Sequence, residues 1–122
     1  MAMNAAAIYN DSKIMTAKPE ELTLMLLDGA LKFSNIAMIG LEKNDAKKVH
    51  DNIIKAENII TELRETLNFK YEIAKSFDTM YEYINYRLYE ANIHKDKVIL
   101  EEAINFIREI RDTWKDAMNM AK

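Results

Sequence analysis

The chain has 122 residues with two glycines, one proline, no cysteine and a formal net charge of -3. This length suits one domain that buries a hydrophobic core without the help of disulfides. The absence of cysteine excludes a thiol nucleophile and a cysteine-based zinc site. So few turn-forming residues argue against many short strands or a glycine-rich phosphate loop. The composition therefore predicts an all-α protein built from long helices.

The charge pattern argues against two classes of partner, nucleic acid and membrane. Lys and Arg are mixed with Asp and Glu along the chain and form no basic stripe. No apolar run is expected to reach the length that crosses a bilayer. Residues 1–8 lack the basic and apolar regions of a secretory signal. We therefore expect a soluble, cytoplasmic protein that binds no nucleic acid and does not insert stably into a membrane.

The predicted elements begin with a short N-terminal segment, residues 1–17. Its apolar residues are too few for a stable free helix, so it is expected to form an arm or a short helix packed on the rest. The remaining residues, 18–122, are expected to form one domain. Pro19 suits the first position of a helix, because its fixed φ is already helical and its missing N–H is not needed there. A first helix is therefore predicted over about 19–42.

Three further helices are predicted after the first. Asp45 and Asp96 are suited to N-caps, because a short side-chain oxygen accepts hydrogen bonds from the free N–H groups of a first turn. Asn92 tolerates the left-handed conformation that often follows a helix end. These helices are predicted over about 45–67, 71–92 and 97–120. Because the connections are short, the prediction is an antiparallel up-down-up-down four-helix bundle.

The first predicted helix carries more apolar surface than one bundle face requires. One stripe suffices for the core, yet four further apolar residues fall on the opposite side at about 100° per residue. They are Leu24, Leu27, Leu31 and Met38. A helix that is apolar on two faces is buried on both or presents one face to a partner. These residues are therefore candidates for a protein-binding surface.

The third predicted helix adds a set of tyrosines beside or opposite its apolar stripe. The set consists of Tyr81, Tyr83, Tyr86 and Tyr89. Tyrosine is enriched at protein interfaces, because it combines a large contact area with a polar tip. An alternative is that the rings line the edge of the bundle and cover its core. In the N-terminal arm, Ile8, Tyr9 and Ile14 are expected to cover part of the binding surface when no partner is present.

The residues that catalysis or metal binding would need do not form a recognisable pattern. The chain has two histidines, His50 and His94, and neither follows a glutamate at the Glu-x-x-His spacing of di-iron bundles. Arg87 lies near an apolar stripe, where pairing with a carboxylate from another helix is expected. We predict no catalytic, metal or cofactor site, and hence a binding protein and not an enzyme.

Four segments in chain order form a recognisable set: YNDSKIMTAKPEELTLMLLDGA at 9–30, KAENIITEL at 55–63, MYEYINYRLYEANI at 80–93 and RDTWK at 111–115. Together they resemble the flagellar secretion chaperones of the FliS family. Three positions depart from the family pattern. Lys18 stands where serine is usual before the proline, Leu27 stands where an aromatic residue is common, and Tyr86 replaces the first arginine of an Arg-Arg-Leu motif.

The resemblance implies an antiparallel helical bundle that binds the C-terminal segment of newly made flagellin in the bacterial cytosol. Such a chaperone prevents premature polymerisation and delivers flagellin to the flagellar type III export apparatus, where a component of the export gate is a further expected partner. The family's N-terminal arm occupies part of the flagellin site and moves aside on binding. The alternative that we keep is a non-catalytic helical adaptor that forms a homodimer through the same apolar face.

Overall fold

The computed structural model describes residues 18–120, which form four α-helices. They are α1 (Pro19–Glu42), α2 (Ala46–Glu65), α3 (Ile73–His94) and α4 (Lys97–Met120). Helix α1 packs against α2 and α4, and α3 packs against the same two helices. Because the connections are short, consecutive helices run in opposite directions. The predicted up-down-up-down bundle is confirmed, with α1 and α3 at diagonal corners.

The helices begin at the residues that capping chemistry predicts. Pro19 opens α1, and the preceding Lys18 makes no side-chain capping hydrogen bond. Oδ1 of Asp45 accepts a hydrogen bond from the Lys48 N–H at 3.1 Å, and Oδ1 of Asp96 accepts one from the Ile99 N–H at 3.1 Å. The two aspartate caps therefore fix where α2 and α4 start.

The predicted end of the third helix is wrong by two residues. Helix α3 continues to His94, and the left-handed residue that follows is Lys95, with φ of 50°. Asn92 stays inside the helix, where its Nδ2 lies 2.9 Å from Nδ1 of His50 in α2. Asn92, which the sequence predicts to end the third helix, therefore forms a side-chain hydrogen bond between α3 and α2.

The turn between α1 and α2 depends on Gly40. The Gly40 carbonyl oxygen accepts a hydrogen bond from the Asp45 N–H at 2.8 Å. A Cβ atom on Gly40 would lie 3.0 Å from Cγ2 of Val49 and 3.1 Å from its main-chain nitrogen. Glycine therefore lets the first turn of α2 pack directly on the last turns of α1.

Helix α1 is buried on two flanks, because α2 and α4 lie on either side of it. The expectation that Leu27 lies on a second, exposed face is wrong, since its side chain is 0% exposed. The sequence also predicts no segment long enough to cross a bilayer, yet α1 meets that criterion by length and composition. Such a helix is also what the core of a soluble bundle contains, and α1 supplies Leu26, Ala30 and Phe33 to the core.

Candidate protein-binding surface

The outer face of α3 carries the largest exposed aromatic side chains that the sequence singled out. Tyr86, Tyr89 and Ile93 are 53%, 54% and 57% exposed. Their spacing of three and four residues places them on one side of the helix, away from the core residues Ile84 and Leu88. We call Tyr86, Tyr89 and Ile93 the α3 stripe. It is an apolar strip about two helical turns long, with polar tips at its two tyrosines.

Tyr83 borders the α3 stripe and is held in place by α4. Its ring packs edge-to-face on Phe106 with centroids 5.4 Å apart, and its hydroxyl donates a hydrogen bond to Oε2 of Glu102 at 2.9 Å. Arg87 donates to Oε1 of the same carboxylate at 2.6 Å. The hydrogen bond from Tyr83, and then the one from Arg87, lower the pKa of Glu102. The predicted pairing of Arg87 with a carboxylate from another helix is confirmed.

Tyr81 does not belong to this surface, so its assignment to a binding face is wrong. Its side chain is 3% exposed and stacks on Phe77 with ring centroids 6.2 Å apart. Burial raises the pKa of Tyr81 to about 12. The spacing contained the signal for this, because Tyr81 lies four residues after Phe77 and three before Ile84, on the core side of α3.

The other candidate residues of α1 lie apart from the α3 stripe. Leu24, Leu31 and Met38 are half-buried, on the flank of α1 where Asp28 Oδ1 accepts a hydrogen bond from Arg111 of α4 at 2.7 Å. Met38 lines a shallow groove of about 390 Å³ between α1 and α4. The predicted surface is therefore divided, because α1 and α3 occupy diagonal corners of the bundle.

Three predicted residues of the N-terminal arm, Ile8, Tyr9 and Ile14, lie outside the described residues. The first described residue, Lys18, is the N-cap of α1, at the end of the bundle where α2 and α4 finish.

That end of the bundle contains a cleft that the sequence analysis missed. It has a volume of about 220 Å³ and is lined by residues of all four helices and of the α2–α3 connection, among them Leu67, Tyr71, Phe77 and Trp114. Trp114 packs edge-to-face on Phe77, with centroids 6.5 Å apart. The cleft is visible only in three dimensions, because its lining comes from residues as far apart as Thr23 and Trp114.

The described surface offers contact area and hydrogen bonds but no reactive constellation. Within residues 18–120, no group of three or more His, Cys, Asp or Glu side chains is placed to hold a metal ion. The α3 stripe and the cleft at the bundle end are suited to apolar side chains of another polypeptide. The lining of the α1–α4 groove is mostly polar and charged, with Met38 and Ile104 as its apolar residues.

Comparison with known proteins agrees with this picture of a binding bundle. The family model described as flagellar protein FliS matches residues 1–121. A flagellar secretion chaperone FliS from Bacillus subtilis is 42% identical over 115 residues, which cover 94% of this chain and 86% of the relative. The proteins of that name from Escherichia coli and Salmonella typhimurium are 32% and 33% identical, covering 93% and 90% of this chain and 85% and 84% of their own lengths. The chain belongs to the FliS family of flagellar secretion chaperones.

Proposed function

We propose that this chain is a cytoplasmic export chaperone for flagellin. It binds the C-terminal segment of flagellin, prevents that segment from polymerising early and delivers flagellin to the flagellar type III export apparatus. Membership of a family of flagellar secretion chaperones supports a flagellar client. The structural observation that carries the proposal is the α3 stripe, a set of exposed aromatic and aliphatic side chains on a rigid helix.

The α3 stripe suits a client segment that folds into an amphipathic helix on contact. Two tyrosines and an isoleucine at i, i+3 and i+7 match the spacing at which a partner helix presents its own apolar residues. Tyrosine side chains often dominate the binding energy of such interfaces. The bonds from Tyr83 and Arg87 to Glu102 anchor the neighbouring part of α3 on α4, so this surface is formed before the client arrives.

A client that is disordered when free needs a large interface to offset the entropy lost on folding. The α1–α4 groove offers a second contact region, with Met38 and Ile104 in its lining. Tyr83 and Arg87, which lie next to the α3 stripe, contact Glu102 of α4, so a single segment that wraps around α4 reaches both regions. In this arrangement Leu24 and Leu31 on the same flank of α1 extend the contact, whereas Leu27 and Tyr81 support it from the core.

The N-terminal arm is proposed to regulate access to this surface. Residues 1–17 join α1 directly, and Ile8, Tyr9 and Ile14 are apolar side chains of the kind that the client supplies. The arm therefore competes with the client for the same contacts and leaves when the client binds. This role needs no catalytic residue, so release at the export apparatus depends on a competing partner or on unfolding and not on hydrolysis by this chain.

The proposal is tested by recovering the tagged chain from the cytoplasm of its own bacterium and quantifying flagellin in the eluate. We expect flagellin to co-purify with the wild-type chain and to be strongly depleted with the double variant Tyr86→Ala, Tyr89→Ala. Phe69→Ala is the matched control, because Phe69 is an exposed aromatic residue in the α2–α3 connection that does not line the cleft at the bundle end. Absence of flagellin with the wild-type chain contradicts the function, and equal recovery with the double variant contradicts the assigned surface.

A further inference from the structure

The interface between α2 and α3 is lined by polar side chains that pair across it. Asn85 Nδ2 donates a hydrogen bond to Thr61 Oγ1 at 3.1 Å, and Arg64 Nε donates to Asp78 Oδ1 at 2.8 Å. One atom departs from this pattern within the described residues. Oδ1 of Asn85 is buried and has no hydrogen-bond partner. A buried acceptor without a donor is destabilising, so this atom calls for a donor nearby.

Helix spacing places Glu57 on the face of α2 that carries Thr61, the residue bonded to Asn85. Neighbouring antiparallel helices advance in opposite directions, so one turn back from Thr61 on α2 corresponds to one turn forward from Asn85 on α3. Glu57 therefore lies opposite the turn between Asn85 and Tyr89. Arg64, three residues after Thr61 on α2, shows the same antiparallel register. It bonds to Asp78 and Glu82 of α3, which are four residues apart and both precede Asn85.

The surroundings of Glu57 provide little to stabilise a negative charge. The side chain is half-buried, and burial raises the pKa of its carboxyl group to about 7. The cations of α2 are directed elsewhere, since Arg64 pairs with Asp78 and Lys55 lies over the Phe33 ring at 5.3 Å, on the α1 side. Among the other ionisable groups of neighbouring turns, Glu82 of α3 pairs with Arg64, His50 of α2 lies beside Asn92 and Lys32 of α1 lies over the Phe33 ring. Tyr89 lies one turn after Asn85 on α3.

We propose that the Glu57 carboxyl group, in its protonated form, donates a hydrogen bond to Oδ1 of Asn85 in the folded bundle, which makes the closure of the α2–α3 interface dependent on a proton. The neutral acid supplies the donor that Asn85 lacks and avoids an isolated charge in a partly apolar site. An ionised Glu57 has acceptors alone and opposes the Asn85 oxygen. Rising pH therefore loosens this interface, in the range between the ordinary carboxyl pKa and that of the folded state.

The proton dependence of the α2–α3 interface does not depend on the identity of the client, although Tyr89 of the α3 stripe lies on the turn of α3 opposite Glu57. It concerns the stability of the bundle, so binding experiments and the following titration succeed or fail independently. The readouts are the carbon-13 chemical shifts of the Glu57 carboxyl and of the Asn85 side-chain carbonyl, followed by NMR between about pH 4 and pH 9.

We expect the Glu57 carboxyl to titrate near neutrality and the Asn85 carbonyl shift to follow with the same midpoint. In Glu57→Gln the amide keeps a donor for Asn85, so the Asn85 titration disappears and the urea midpoint becomes nearly independent of pH between about 5 and 8. Glu62→Gln, a half-buried glutamate of the same helix, is the control and keeps the wild-type pH dependence. Titration of Glu57 below about pH 5, or an Asn85 carbonyl that does not respond to it, overturns the proposal.

Discussion

The indole Nε1 of Trp114 donates a hydrogen bond of 2.9 Å to the main-chain oxygen of Glu20, 94 positions earlier in the chain. This bond connects the C-terminal part of α4 to the first turn of α1. The same indole packs on Phe77 of α3, so one side chain contacts two further helices at this end of the bundle. Trp114 therefore closes the end of the bundle at which α1 begins.

The Trp114 contact predicts a measurable loss of stability in Trp114→Phe. Phenylalanine retains much of the packing on Phe77 but cannot donate to Glu20, so we expect a loss of about 1–2 kcal/mol in the free energy of unfolding. Urea denaturation followed by circular dichroism measures it. Lys115→Ala, at the exposed neighbouring position, is the control and is expected to change stability by less than about 0.5 kcal/mol. Equal midpoints for the wild type and Trp114→Phe refute the closing role of the indole.

Gly40 predicts an exception to helix propensity. In an ordinary helix Gly→Ala is stabilising by about 1 kcal/mol, but here the new methyl group meets Val49 at 3.0 Å. We expect Gly40→Ala to reduce the free energy of unfolding by about 1–3 kcal/mol, because overpacking forces α2 away from α1. Val49→Ala in the same background removes the methyl contact and is expected to restore part of the loss. A Gly40→Ala protein that is more stable than the wild type contradicts the close approach.

The hydrogen bonds to Glu102 predict that the α3–α4 contact stabilises the fold in a pH-dependent way. The pKa of the Glu102 carboxyl is lowered from the ordinary value of 4.5, first by the Tyr83 hydroxyl and then by Arg87. A lowered pKa in the folded state means that the stabilisation is fully present above pH 4.5 and is lost as pH falls through the folded value. Glu102→Gln is therefore expected to unfold at a lower temperature than the wild type at pH 7 and at nearly the same temperature at pH 2.5.

The control for this experiment is Glu109→Gln, on the same helix. Glu109 is exposed and has no ion-pair partner among residues 18–120, so its replacement is expected to leave the melting temperature unchanged at both pH values. If Glu102→Gln lowers the melting temperature equally at pH 7 and pH 2.5, the loss comes from packing and the charge network is not its cause.

The sequence predicts the helices well because their starts depend on local chemistry. Pro19, Asp45 and Asp96 act through the first turn that follows each of them, and the structure places a helix start at all three. The connection between α2 and α3 is longer than predicted, since α2 ends at Glu65 and α3 begins at Ile73. The residues between them contain no proline or glycine to mark the boundary, so local signals extend both helices too far.

The binding surface is less predictable, because exposure depends on which helices become neighbours. Leu27 looks like an excess apolar residue when α1 is assigned one buried side, but a corner helix of a bundle has a neighbour on each of two flanks. Periodicity also treats Leu24 and Tyr86 alike, as candidates for one binding surface, although the structure places their helices at diagonal corners of the bundle. The exposed stripe at Tyr86 and Tyr89, in contrast, follows from their spacing relative to Ile84 and Leu88.

Removal of the N-terminal arm tests its proposed competition with the client. Deleting residues 1–15 is expected to leave the helical circular dichroism signal of the bundle intact and to strengthen client affinity by roughly 3–10-fold, because no intramolecular competitor remains. The affinity is measured by calorimetry with the C-terminal peptide of flagellin. A chain in which a Gly/Ser segment of equal length replaces residues 1–15 is the control and is expected to match the deletion. Unchanged or weaker affinity in both variants contradicts a competing arm.

The proposed function requires that the α3 stripe bind a flagellin segment that folds on contact. Isothermal titration of a synthetic C-terminal flagellin peptide into the purified chain tests it most directly. We expect saturable binding, a negative heat-capacity change, a gain of helical circular dichroism and a loss of roughly tenfold or more in affinity for Tyr86→Ala, Tyr89→Ala. No binding heat at high micromolar peptide, with the chain folded and residues 1–15 removed, would contradict it.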